Sequence, residues 1–103
     1  MNIVITPEET LGSPASVLLV GDVDLASTYS FRTTARTLER RPNADLWLDL
    51  SGVTFLDCAG LGALEEWAAT VTVRGGTTTL TALSADVRRV LAMTWTSLRL
   101  PTD

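Results

Sequence analysis

Residues Leu46–Ala69 read LWLDLSGVTFLDCAGLGALEEWAA, and the two ends of this stretch obey different hydrophobic periods. Leu46, Leu48 and Leu50 alternate with Trp47 and Asp49, which sets the leucines on one face of a strand. Beyond a Ser51–Leu56 connection, Leu61, Leu64, Ala68 and Val71 recur at the spacing of an amphipathic helix that runs to about Val73. Asp57 is the expected N-cap, because a carboxylate there accepts the unpaired N–H groups of the first turn. Glu65 and Glu66 fall off the apolar stripe, and Gly75-Gly76 ends the helix where a positive φ is inexpensive for glycine. The helix opens on small residues, Cys58, Ala59 and Gly60.

The flanking sequence continues the same alternation. Ile3–Ile5 reads as a strand, Leu11–Ser16 with Gly12 and Pro14 as a turn, and Val17–Val20 as a second strand ended by Gly21 and Asp22. Residues 25 to about 40 place Leu25, Thr28, Phe31, Ala35 and Leu38 on one side of a helix, which Pro42 stops. Its threonines are poor helix formers, so that helix must rely on packing. Thr77–Ala82 is a fourth strand, and Ser84 caps a final helix with Val87, Val90 and Leu91 facing inward. Leu98–Leu100 is a weak closing strand. This alternation predicts an α/β fold: one domain over residues 1–103, a mixed and mostly parallel sheet of four to five strands packed with three to four helices.

Composition removes several functions. The chain has no histidine, which takes away the commonest general base and metal ligand. All eight basic residues are arginine against twelve acidic ones, and the net charge of -4 disfavours nucleic acid. No apolar run is long enough to span a membrane, and the first residues do not read as a signal peptide, so a cytoplasmic location is expected. The single cysteine, Cys58, cannot form an internal disulfide.

The small-residue turn has two readings. It admits another surface, with helix N–H groups that favour an anion by about 0.5–1 kcal/mol; or it lets the helix pack tightly on the sheet. Cys58 at a helix start is also a candidate nucleophile or redox group, although no histidine or lysine stands by to assist it. Gly60 and Gly62 begin a dinucleotide fingerprint, but Glu65 occupies the place of its third glycine and would repel a pyrophosphate. Asp22, Asp24, Asp49 and Asp57 could converge on a divalent cation, or serve as turn and helix caps. Arg32, Arg36 and Arg40 recur every four residues, as a solvated polar face or a partner-binding stripe.

Taken together, Leu48–Asp57 followed by Ala59–Leu64 resembles the signature of the sulfate-transporter and anti-sigma-factor-antagonist (STAS) domains of bacteria. Gly21-Asp22-Val23-Asp24-Leu25 resembles the family's stretch before its first helix, and Ala85–Leu91 resembles the third conserved segment. The resemblance implies a mixed sheet packed with helices, no active-site chemistry, no cofactor, and partner binding around the helix start at Asp24, Asp57, Cys58, Ala59, Gly60 and Leu61. Regulatory members bind a serine-kinase anti-sigma factor and free the sigma factor. The kinase reverses this by phosphorylating a serine in an Asp-Ser-Ser-Gly motif, adding about -1.5 to -2 charges to the binding face.

Here the corresponding run is Asp57-Cys58-Ala59-Gly60, so alanine holds the phosphoacceptor position and cannot be switched there. Ser51 and Thr54 are nearby hydroxyls, as turn residues or as substitute acceptors. Met93–Ser97 replaces the usual glycine-leucine turn, which leaves Trp95 either inside the monomer or available for a partner or a homodimer. An anti-sigma-factor antagonist is the leading expectation, favoured by Gly-Asp-Val-Asp-Leu. The alternative is a STAS accessory subunit docking on the ATPase of an ABC transporter, where alanine in place of the second motif serine is tolerated; a Cys58-based redox protein is the remote third.

Overall fold

Strands β1 (Asn2–Ile5), β2 (Ala15–Val23), β3 (Leu46–Leu56) and β4 (Thr78–Leu83) form one sheet, ordered β1-β2-β3-β4, in a computed structural model that describes residues 1–7, 10, 12–94 and 98. β1 runs antiparallel to β2, whereas β2–β3 and β3–β4 are parallel pairs. Parallel neighbours need crossovers, and these are α1 (Ser27–Leu38) and α2 (Cys58–Val73). Right-handed connections in one direction along the sheet place both helices on the same face. α3 (Ala85–Met93) follows β4 and packs against β3. The α/β class and the mixed, mostly parallel sheet match the expectation, with four strands and three helices among the described residues.

The core lies where sheet and crossover helices meet. Val17, Leu19, Leu46, Leu48, Leu50 and Leu80 supply the sheet side, all at most 1% exposed. Phe31 of α1 and Trp67 of α2 meet above them, ring centroids 5.2 Å apart and tilted by 31°. Alternation leaves Val4, Val20 and Trp47 exposed on the opposite side of the strands.

Two strands and two apolar stripes differ from the sequence reading; Leu25, placed with Phe31 on the inner side of the first helix, is 72% exposed and precedes α1. β2 does not stop at Val20: it runs through Gly21 and Asp22 to Val23, so Asp22 lies within a strand. β3 likewise continues through Ser51–Leu56, read above as a connection. The reason is mutual, since Gly52 pairs with Val20, Val53 with Gly21, Phe55 with Asp22 and Leu56 with Val23. Each supplies the other's ladder across register shifts that break simple alternation. The α2 stripe is also wider than expected: Ala63 and Trp67 are buried with Leu61, Leu64 and Val71, while Ala68 is partly buried. Of the closing segment only Leu98 is described, and it is buried; Trp95 and the remainder of the expected last strand lie outside the described residues.

Candidate functional site

The site forms at the carboxyl ends of β2 and β3. Asp57 leaves β3 with extended backbone, φ -110° and ψ -179°, and its Oδ1 accepts the Gly60 N–H at 2.7 Å. The Leu61 N–H donates to the Asp57 carbonyl at 2.9 Å, which starts the helix. The expected N-cap is therefore in place, and its carboxylate already meets the positive end of α2. Gly60 is buried against the Val23–Asp24 peptide, with no space there for a side chain. This approach sets the start of α2 beside the turn that leads into α1.

Asp24 organises that turn. Its Oδ1 accepts the Ala26 N–H at 3.0 Å, its N–H donates to Ser27 Oγ at 3.1 Å, and its carbonyl accepts the Ser27 N–H at 3.0 Å. Ser27 is buried at 4% exposure and its hydroxyl finds its partner inside the fold, whereas the bond from Ala26 to the Asp24 carboxylate is exposed. Beside it opens a depression of about 270 Å³ lined by Met1, Asp22, Asp24, Ala26, Ser27 and Ser30.

The residues expected on a recognition face thus divide. Cys58 and Ala59 are exposed, and Asp24 and Asp57 are half-buried at their edge. Gly60 and Leu61 point inward instead: Gly60 rests on β2 and Leu61, 4% exposed, belongs to the core, so neither presents a side chain to a visitor. The small residues serve both readings at once, Gly60 for packing and Cys58-Ala59 for surface.

The aspartates do not gather on a common centre. Asp22 Oδ1 accepts the Thr54 hydroxyl at 3.0 Å, and Asp49 Oδ1 accepts the Ser51 N–H at 2.9 Å. With Asp24 and Asp57 each is held by a local donor, and no group of metal-ligating side chains placed to hold an ion occurs among the described residues. Thr54 is therefore already engaged, whereas the Ser51 side chain is exposed.

One pair was not legible beforehand. Arg32 of α1 donates through Nε to Glu66 Oε1 of α2 at 2.6 Å and through Nη2 to Oε2 at 3.2 Å. The hydrogen bond from Arg32 holds the Glu66 carboxyl below its ordinary value, against desolvation and with a lesser contribution from the Arg32 charge. Arg32 is raised in return, chiefly by the same hydrogen bond. The pair bridges the two crossover helices on their solvent side.

The family model described as "Mlab, STAS domain" matches residues 8–95. The chain belongs to the STAS domain family. This STAS domain is similar in fold to the anti-sigma factor antagonist SpoIIAA in its unphosphorylated form, with a TM-score of 0.64 and 17% identity over 96% of this chain and 90% of that one. It is also similar in fold to murine Solute Carrier 26 family member A9, an anion transporter solved in the inward-facing state: TM-score 0.68, 24% identity, 84% of this chain but only 14% of the transporter. No curated protein sequence matches the chain. No described helix of this STAS domain is long and apolar enough to cross a membrane.

Proposed function

We propose that this chain is a non-catalytic protein-binding module, an anti-sigma-factor antagonist that docks on a serine-kinase anti-sigma factor through Asp24, Asp57, Cys58 and Ala59. The observation that carries the reading is the exposure of Cys58 and Ala59 on the first turn of α2, fixed between half-buried Asp24 and Asp57. STAS domains are generally binding modules without catalysis, and a surface of small side chains lets a partner approach the backbone closely. Ala59 stands where relatives carry the phosphoacceptor serine. Lacking a hydroxyl, it leaves the docking face permanently in the form that binds.

A second reading is favoured by the same alanine. A face that is never switched off also suits a constitutive subunit, here one docked on the ATPase of an ABC transporter. Affinity capture from the source cell separates the two by the partner's nature, a histidine-kinase-like anti-sigma factor or an ATP-binding cassette subunit. With that partner purified, Ala59→Glu should weaken binding by about tenfold or more through charge and bulk, while the circular dichroism spectrum is retained. Incubation with the kinase and ATP should leave the wild type unmodified and phosphorylate Ala59→Ser. Unchanged affinity in Ala59→Glu would place the contact face elsewhere, and phosphate on wild-type Ser51 would mean that control has moved to that residue.

A further inference from the structure

The side of α1 that faces away from the core carries an unusual sequence of side chains. Phe31, Thr34 and Leu38 are buried. On the opposite side of α1, Tyr29 is 76% exposed and stands seven residues before exposed Arg36; Leu25, 72% exposed, lies in the turn just before the helix, and exposed Arg40 in the turn just after it. Neither the Arg36 nor the Arg40 side chain has a hydrogen-bond or ion-pair partner among the described residues, whereas Arg32, on the flank toward α2, is held by Glu66. The arginine stripe of the sequence thus splits into one internally neutralised member and two free ones.

The charge of this stripe is graded along its length. Leu25 follows Asp24 directly, so the apolar end adjoins the acidic rim of the α2 turn. At the other end, residues 36–41 hold Arg36, Arg40 and Arg41 against one carboxylate, Glu39. Arg74 reaches the same corner, its Nη2 donating to the Glu39 carbonyl at 3.2 Å and the Arg41 carbonyl at 3.5 Å. In a chain of net charge -4 this corner is locally positive. Two large apolar side chains in water, followed by unpaired guanidiniums, fit a partner surface that is apolar and then acidic.

We propose that the outer stripe of α1 is a second docking contact, continuous with the turn at Ala59, and that its occupant is an acidic amphipathic helix of a partner protein. The inference rests on the chain being a protein-binding module. Leu25 and Tyr29 anchor the apolar part of that helix, and Arg36 and Arg40 receive its carboxylates.

The test is an amide NMR titration of the full chain at low salt with a synthetic amphipathic peptide of leucine and glutamate. Shifts should concentrate in residues 25–40, binding should weaken about tenfold in R36E/R40E and fade as salt is raised, and Leu25→Ser/Tyr29→Ser should weaken it independently of salt. Shifts in residues 25–40 with residues 57–59 unmoved keep this contact separable from the one at the α2 turn. Absence of shifts along α1, or equal binding of the same peptide with lysine for glutamate, would overturn the inference. Shifts confined to residues 57–59 would also overturn it while leaving the proposed function standing. Tighter binding of single-stranded DNA at Arg36 and Arg40 would replace it with a phosphate site.

Discussion

A Cβ placed on Gly60 would lie 2.6 Å from the Val23 carbonyl carbon and 3.0 Å from the Asp24 nitrogen, so the start of α2 rests on the peptide that ends β2. Real side-chain carbons are not found this near to a backbone, and the atoms that would have to yield are held in the sheet on one side and in the Asp24–Ser27 lock on the other. Glycine at this position therefore determines how far Cys58 and Ala59 stand from Asp24. The geometry of the candidate face is set from underneath.

Gly60→Ala should accordingly destabilise the fold by about 1–3 kcal/mol, as overpacking against unyielding atoms does. The urea midpoint measures it, with the slope unchanged. Stability equal to wild type would mean that the α1 turn slides away freely, and the close approach would have no structural importance.

Asp57→Ala removes the acceptor of the Gly60 N–H and should cost about 0.5–2 kcal/mol, the usual range for an N-cap. Asp57→Asn keeps a side-chain oxygen at the same place and should recover most of the loss. If asparagine were as damaging as alanine in urea unfolding, the carboxylate would be acting through its charge and not as a cap.

The segment that starts at Leu46 was legible because both of its signals are local. Alternating leucines name the strand, and the Asp57 cap with the three-and-four spacing names the helix. Ser51–Leu56 does not show as strand in the sequence because its hydrophobic pattern changes phase: Leu46, Leu48 and Leu50 are inward, and then Val53 and Leu56 are. Only pairing with Gly21–Val23, distant in sequence, keeps that stretch extended. Trp67 could have been found, since it stands three residues after Leu64 and four after Ala63; reading it as interior needed the knowledge that Phe31 lies opposite. For the candidate site, the cap and the small turn were readable. The division between inward Gly60 and outward Ala59 was not, because it depends on where β2 ends in space.

Trp67→Ala should be the most damaging of these changes, by about 3–5 kcal/mol, because it empties a large volume between α1, α2 and the sheet. Trp67→Phe keeps an aromatic partner for Phe31 and should cost much less. The comparison by thermal unfolding distinguishes ring packing from mere volume: equal losses in both variants would indicate that the indole shape itself is required.

The Arg32–Glu66 bridge should be visible as pH dependence. Glu66 has its folded pKa depressed, so the stabilisation from this pair is fully present above the unfolded glutamate pKa, about 4.3, and is lost as pH falls through the lower folded value. Wild type should therefore lose its advantage over Glu66→Gln between about pH 5 and pH 3, and the difference should shrink in high salt because both partners are exposed. Urea midpoints of the two proteins across that range decide the matter. A gap that stays constant with pH would show that the two side chains do not hold each other in solution, and the link between the crossover helices would then rest on contacts such as Phe31 with Trp67 and Arg74 with the end of α1.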